Sequence, residues 1–296
     1  LWVAGSFFDK YLLERYFKDS DDEGPGALMI FSSYFSLLIA ITALLIQFNE
    51  ISFELEAGLF GIGIGMITGL WILAYLYALN RADVSQVVPI FQTVPIFGLA
   101  LSYYILGETL TTEQILSAAG IITGALILFY DRYASFLGLD LKTLGLMLVA
   151  SFFLALTETT SKFLAIEINY WTTVFWSSTG LTLFGISLFY FISSYRNETI
   201  NMLSKRMNQV LQANSFNEII DNVADLVFFF AITIGPLALV QSLNAYQPFI
   251  ALLAGYFLYR YFPKLLGAEL SRTSFRQKLI GITIMSIASI YLYASM

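Results

Sequence analysis

The chain has 296 residues, of which 58% are hydrophobic and only 12% are charged, and its mean hydropathy is +0.74. Because soluble domains carry about 25% charged residues, this composition predicts a protein that crosses a lipid bilayer several times. The sequence has no cysteine and no histidine, which excludes disulfides, thiolate or imidazole metal sites, and cysteine or serine–histidine nucleophiles. We therefore expect no enzyme activity, metal or cofactor, and the net charge of -6 gives no support for nucleic-acid binding.

Hydrophobic stretches of about 20 residues, long enough to cross a bilayer, recur along the whole chain. Most are separated by a few residues, which predicts antiparallel neighbours in one bundle without a soluble domain. The chain begins at Leu1 without a charged segment, so we expect a first helix that lacks its beginning and is not a signal peptide. The ten predicted helices are 1–13, 27–48, 57–79, 84–106, 113–130, 143–166, 170–194, 217–234, 236–259 and 277–295.

The fourth predicted helix lies in a stretch, 82–108, that is interrupted by Pro89 and Pro95 and ends at Glu108. Residues 235–259 repeat the same order of features, and Pro248 follows Pro95 at an offset of 153. A proline-broken hydrophobic helix in corresponding positions of two halves indicates a secondary transporter with its site between the halves.

Further residue pairs support a duplication of the whole chain. The halves, 1–132 and 141–296, each hold five predicted helices, and an odd number per repeat places the second copy upside down relative to the first. The sequence thus predicts an all-α integral membrane fold, a bundle of ten transmembrane helices built from two inverted five-helix repeats. The matching pairs are Lys10-Tyr11-Leu12 with Lys162-Phe163-Leu164, Ser32-Ser33 with Ser177-Ser178, and Glu108 and Gly120 with Glu269 and Gly281.

Lysine and arginine predict the orientation in the cell membrane. All of them except Lys162 fall in or beside the loops after predicted helices 1, 3, 5, 7 and 9, which the positive-inside rule places in the cytoplasm. Between predicted helices 7 and 8, apolar residues recur at helical spacing beside two basic ones, which predicts an amphipathic helix on the membrane surface. The alternative is an ordinary solvated connector. These apolar residues are Ile200, Leu203, Met207, Val210 and Leu211.

The eighth predicted helix carries Glu218, Asp221 and Asp225, and Asp225 lies near its middle. A carboxylate at that depth costs about 2.5 to 3.5 kcal/mol on insertion scales, so Asp225 should face a polar cavity or a partner. Such a position suits proton exchange or binding of a cationic group. The alternative is that the span begins near Asn222, which leaves Asp221 at the membrane interface.

A second acidic candidate is Glu158, which precedes Lys162 by four residues. This spacing predicts an ion pair along the helix, with a substrate contact as the alternative. Asp9 and Lys10 carry the same two interpretations. Glu108 precedes the fifth predicted helix and is expected to be a cap or turn residue.

Amides cluster beside the prolines of both broken helices. Gln86 and Gln92 flank Pro89, whereas Gln241 and Asn244 precede the proline of the second half. A proline inside a membrane helix frees a carbonyl one turn back, which such amides or a ligand can satisfy. The alternative is that these side chains serve helix packing.

The third predicted helix combines aromatic residues with glycines. Trp71 and Tyr75 could line a cavity and hold a cation or a flat organic solute, with lipid-facing positions as the alternative. Gly61, Gly65 and Gly69 recur every four residues, which predicts close approach of a neighbouring helix.

A set of short motifs is spread over both halves of the chain: Ala78-Leu79-Asn80-Arg81-Ala82, Val94-Pro95-Ile96-Phe97, Leu106-Gly107-Glu108, Gly120 with Gly124, and Gly235-Pro236-Leu237-Ala238-Leu239-Val240. These motifs resemble the EamA-type members of the drug/metabolite transporter superfamily, and the resemblance covers essentially the whole chain. The resemblance implies that helices 1, 3, 4, 6, 8 and 9 line a central cavity, to which Trp2 would contribute, and that helices 5 and 10 lie behind it or form a homodimer. It also implies two cytoplasmic termini, whereas the charge pattern predicts the opposite.

These observations favour a secondary carrier that moves a small organic metabolite by alternating access between two repeats. The alternative on the same fold is a flippase for a lipid or lipid-linked sugar. A non-transporting membrane scaffold or an intramembrane enzyme is less favoured.

Overall fold

The structure, a computed structural model, describes residues 1–17, 23–82, 84–109, 111–129, 141–247, 250 and 275–294. Its regular elements are helices, numbered here in chain order. The fourth is a composite of an α, a 3-10, an α and a π segment, and the ninth combines an α and a 3-10 segment. They are α1 (Trp2–Tyr16), α2 (Glu23–Gln47), α3 (Leu55–Arg81), α4 (Val84–Val87, Val88–Thr93, Val94–Leu101, Ser102–Leu106), α5 (Thr112–Phe129), α6 (Leu141–Glu167), α7 (Tyr170–Phe191), α8 (Ser193–Ile234), α9 (Leu237–Leu243, Asn244–Tyr246) and α10 (Phe275–Ala294).

Within the described residues, four helices are long and apolar enough to cross a membrane: Glu23–Glu50, Leu55–Arg81, Leu141–Glu167 and Tyr170–Phe191. A shorter apolar helix spans Ile90–Leu106. Long helices suit a bilayer because their backbone donors and acceptors are satisfied within the segment. The predicted bounds of these helices agree with the structure to within a few residues, while the total of ten membrane crossings stays a prediction.

The predicted interruption of the fourth helix is confirmed. Pro89 lies in the 3-10 segment Val88–Thr93, and Pro95 is in the first turn of the next α segment. Proline cannot donate a backbone hydrogen bond and its ring opposes a continuous α-helix, which accounts for the change of winding. In α9 a 3-10 segment, Asn244–Tyr246, follows the α segment Leu237–Leu243, whereas Pro248 lies outside the described residues.

Glycines let neighbouring helices approach closely, as predicted. A methyl group on Gly65 of α3 would lie 2.1 Å from the Ser177 carbonyl oxygen of α7, and one on Gly180 would lie 2.3 Å from the Ile62 oxygen. A methyl group on Gly124 of α5 would lie 2.7 Å from a backbone oxygen of α10. The helices α5 and α10 therefore pack against each other within one chain, and their role in a homodimer stays a prediction.

The prediction of a separate amphipathic helix on the membrane surface is wrong. Residues 193–234 form one continuous helix, about 63 Å long at 1.5 Å per residue. The segment contains no proline or glycine that would break it, and Met202 and Val210 are buried in the core. The helix therefore does not begin near Asn222, and Asp221 and Asp225 lie well inside α8. Where the membrane span begins along α8 stays a prediction.

A buried apolar cluster joins the ends of several described helices. Leu12 and Leu79 come from the last turns of α1 and α3, and Leu28 comes from the first turns of α2, all of them fully buried. Dense packing in this cluster joins the first three helices to α8 through Val210. The middle of the bundle, in contrast, encloses a polar cavity.

Candidate functional site

A cavity of about 300 Å³ lies among α1, α2, α3, α4, α6, α7, α8 and α9. Helices α2 and α7 also line it, through the serine pairs Ser32-Ser33 and Ser177-Ser178, which corrects the set of helices implied by the resemblance. Their position follows from the glycine contacts that draw α7 against α3. The predicted site residues on the cavity wall are Trp2, Trp71, Tyr75, Gln92, Pro95, Glu158, Asp225, Gln241 and Asn244.

The role of these residues in binding stays a prediction. The side chains of Gln86 and Pro89 lie outside the described part of the structure, although both backbones belong to α4. The interpretation of Trp71 and Tyr75 as lipid-facing residues is wrong, because Tyr75 is buried and both rings line the cavity.

One face of α8 supplies three acids to the cavity. Glu218, Asp221 and Asp225 are spaced by three and four residues, which places them on the same side of the helix. Asp225 Oδ1 accepts a hydrogen bond from the Trp2 indole at 2.5 Å. The Asp221 carboxylate packs against Gly5 so closely that a methyl group there would lie 2.0 Å from its Oδ1 atom.

Asp9 joins three helices at the cavity wall. Its two carboxylate oxygens accept hydrogen bonds from Asn217 Nδ2 of α8 at 2.8 Å and from the Tyr75 hydroxyl of α3 at 3.3 Å. Neither partner carries a positive charge. Asp9 is therefore held by neutral donors and has no countercharge among these contacts.

Glu158 of α6 is only 8% exposed and accepts a hydrogen bond from Gln241 Nε2 of α9 at 2.5 Å. The predicted ion pair between Glu158 and Lys162 is wrong. Lys162 instead meets Glu108 of the first half, with 2.5 Å between Nζ and Oε1. Although both residues of α6 are buried, they face different surroundings, because tertiary partners on α9 and after α4 prevail over a weak contact within the helix.

Lys162 is part of a charged contact, here called the clamp, that comprises Glu108, Lys162, Gly235 and Leu237. Lys162, only 4% exposed, also donates to the carbonyl oxygen of Gly235, which follows the end of α8. The second oxygen of Glu108 accepts the Leu237 backbone N–H at 3.0 Å, at the start of α9. Glu108 is thus a cap, as expected, although it caps α9.

Lys10 has a similar place in the first half. Its Nζ atom donates to the carbonyl oxygens of Leu79 at 2.9 Å and Ala82 at 3.1 Å, where α3 ends. It also lies 3.4 Å from Glu14. Lysines in α1 and α6 therefore both bind the last carbonyls of a neighbouring helix, and both are directed away from the cavity.

The cavity wall has an excess of acidic over basic residues. Its acidic residues come from α1, α6 and α8, while the described lining contains no lysine or arginine. Acidic side chains at membrane depth are costly unless they face water, a partner or a substrate. These five residues are Asp9, Glu158, Glu218, Asp221 and Asp225.

Aromatic rings and unsatisfied polar atoms complete the wall. Trp71, Tyr75 and Phe91 form a cluster with ring centroids 5.5 to 6.5 Å apart. Gln92 is 2% exposed, and its Oε1 atom accepts no hydrogen bond from the described chain; Thr157 Oγ1 also lacks a partner there. Buried polar atoms are nearly always satisfied, so these two mark places for a ligand or water.

Sequence reasoning missed several small polar residues of the wall. Ser32 and Ser36 on α2 are spaced by four residues in an apolar helix, and Thr157 and Ser161 have the same spacing within the polar stretch 157–162 of α6. This spacing puts each pair on one face and was a usable signal. The serine pairs were recognised only as marks of duplication.

Comparison with known proteins agrees with this geometry. Residues 2–130 match the EamA-like transporter family, which is generally non-enzymatic. A solved crystal structure resembles 98% of this chain over 95% of its own length, with a TM-score of 0.57 and 13% sequence identity, which shows a shared fold. Among curated proteins, none matches this chain. Residues 2–130 therefore match a transporter family of the drug/metabolite transporter superfamily, and four of the described helices are long and apolar enough to cross a membrane.

Proposed function

We propose that this protein is a secondary carrier that moves a small organic metabolite by alternating access. The cavity, lined by helices from both halves and by five acidic residues, is the observation that carries the proposal. Its volume of about 300 Å³ falls at the lower end of small-molecule sites. The two halves act as inverted five-helix repeats of a ten-helix bundle that rock about this cavity.

The interrupted helices supply the points of bending. Gln92 lies within the 3-10 segment of α4, Gln241 lies just before that of α9, and both side chains reach the cavity wall. A 3-10 segment within a helix has weaker hydrogen-bond geometry and often marks a hinge. Bending there changes the cavity opening while most of each helix stays intact.

The clamp holds one end of the cavity shut. It binds the end of α4 to α6 and to the junction of α8 with α9 through Glu108 and Lys162. Parting of this contact opens that end, and Lys10 at the end of α3 has the equivalent place at the other. The loops after helices 1, 3, 5, 7 and 9 are assigned to the cytoplasm, and α5 and α10 are available for a homodimer.

Asp225 is the residue assigned to proton or cation coupling. It is exposed on the cavity wall and has a neutral hydrogen-bond donor, Trp2. An aspartate in that position can release a proton when a cationic group arrives. Five acids on the wall also disfavour a flippase for a lipid-linked sugar, because phosphate in such a headgroup would be repelled.

The test is transport by the purified chain in proteoliposomes. The proteoliposomes are given a metabolite mixture under an imposed pH gradient. The internal pH is recorded, and mass spectrometry identifies the metabolites that enter the lumen. We expect Asp225→Asn to abolish gradient-driven uptake, while Glu56→Gln, which neutralises an exposed acid outside the cavity, leaves it unchanged. Uptake by Asp225→Asn equal to that of the unmodified protein would remove Asp225 from the mechanism.

A further inference from the structure

We propose that the cavity selects protonated organic amines, that is, small cations that carry both N–H donors and an apolar body. This inference rests on the proposed transport function and names its substrate class. It follows from the charge of the wall, an unpartnered acceptor inside it, and the aromatic cluster beside that acceptor.

The acidic residues of the cavity wall favour a cationic substrate. The five acids on the wall face a described lining without lysine or arginine, and the two nearby lysines are engaged elsewhere. Lys10 binds the end of α3 and Lys162 belongs to the clamp. Since neither can neutralise the wall, a substrate anion would meet only repulsion, whereas a cation would supply the missing positive charge.

Gln92 gives the second step. It is 2% exposed, lies on the cavity wall, and its Oε1 atom accepts no hydrogen bond from the described chain. A carbonyl oxygen only accepts, so its partner must present an N–H or O–H donor. A protonated primary amine has three such donors, whereas a quaternary ammonium has none. The acceptor therefore distinguishes between two kinds of organic cation of equal charge.

The aromatic cluster gives the third step. Phe91 adjoins Gln92 in the sequence, and its ring lies 6.4 Å from that of Trp71 and 5.5 Å from that of Tyr75. Such faces attract a cation and also cover an apolar body. Phe228 and Phe229 of α8 line the same cavity, so the acids of α8 and the aromatic rings of α3, α4 and α8 enclose one space.

Binding to the full chain in lipid nanodiscs tests the class. The probes are 2-phenylethylamine, 2-phenylethanol and phenylacetate, which share a body and differ in the charge of one group. We expect the amine to bind at least tenfold more tightly than either analogue, because hydrogen bonds to charged groups are the stronger ones. An amine that fails to bind, or binds no better than phenylacetate, overturns the proposal.

A variant of Gln92 tests the acceptor. The unmodified chain should prefer 2-phenylethylamine over its N,N,N-trimethyl analogue by about tenfold. Gln92→Leu should reduce this preference, because only the acids of the wall then accept from the amine, whereas Gln92→Glu, which keeps an acceptor, and Gln212→Leu, a change at an exposed glutamine outside the cavity, should retain it. A preference that is unchanged in a folded Gln92→Leu variant contradicts the assignment. If that variant does not fold, loss of the preference in Gln92→Glu contradicts it.

Uptake into proteoliposomes separates this inference from the transport function. Selective amine binding without uptake of any metabolite would support the substrate class and refute the transport mechanism. Uptake of a neutral or anionic metabolite by a chain that does not bind the amine would overturn the class and leave alternating access standing.

Discussion

The clamp and the cavity wall both place charged side chains inside the helix bundle, but they balance those charges differently. In the clamp, Lys162 and Glu108 neutralise each other, and their remaining atoms meet backbone groups at Gly235 and Leu237. On the wall, acids such as Asp9 and Glu158 meet neutral donors only. The first arrangement is complete without a ligand, and the second is not.

This difference distinguishes structural charge from functional charge. A buried ion pair whose other hydrogen bonds are satisfied is costly to break, because its removal leaves one charge without a partner. An acid that lacks a countercharge contributes less to the stability of the fold, and its expected role is to bind a substrate or an ion. Substitutions at the two places should therefore have opposite effects on stability and transport.

The largest expected effect on stability is at Lys162. Lys162→Met should lower the free energy of unfolding by about 3 kcal/mol, because it leaves the partly buried Glu108 carboxylate unpaired and frees the Gly235 carbonyl. Thermal or denaturant unfolding in detergent measures the loss. Lys142→Met, a change at an exposed lysine of the same helix, is the control and should have little effect.

A variant in which the two charges of the clamp are exchanged should stay less stable than the unmodified chain. In the double variant Glu108→Lys and Lys162→Glu, a lysine would face the Leu237 N–H and a carboxylate would face the Gly235 carbonyl. An ion pair without backbone partners would tolerate the exchange. Full recovery in unfolding measurements would therefore show that the backbone contacts contribute nothing.

The smallest expected effect on stability is at Glu158. Glu158→Gln removes charge but keeps an oxygen for the Gln241 amide, so the free energy of unfolding should change by no more than about 1 kcal/mol. Glu108→Gln is the matched change in the clamp and should be clearly more destabilising. Amine uptake should decrease in Glu158→Gln even though the fold is retained. If Glu158→Gln lowered the free energy of unfolding more than Glu108→Gln, the contrast between the cavity wall and the clamp would be contradicted.

Much of the fold follows from the sequence because membrane helices depend on length and hydropathy. The bounds of α2, α3 and α6 and the break at Pro89 were predicted on those grounds. The spacing of residues along a helix was a poorer guide to which side chains contact each other. The spacing of Glu158 and Lys162 allowed a pair, yet contacts between helices, which local spacing does not contain, decided both partners.

The sequence predicted residues of the site mainly where a charged side chain falls within a hydrophobic stretch. Asp225 could be singled out because an acid at membrane depth is costly. The small residues of α2 and α7 carry no such signal, and their place on the wall depends on how closely α3 and α7 pack at Gly65 and Gly180. The sequence does not predict the continuous helix α8, because the apolar periodicity of residues 200–211 is also typical of a separate helix on the membrane surface.

Access to the cavity from both sides of the membrane is the most direct measurement of the central claim. The chain has no cysteine, so a single Thr157→Cys on the cavity wall can be labelled with a membrane-impermeant thiol reagent in vesicles of each orientation. Thr111→Cys, in the exposed loop before α5, should react from one side only. Alternating access predicts that position 157 reacts from both sides and that 2-phenylethylamine slows the reaction. Labelling of position 157 from a single side under every gradient would contradict the account.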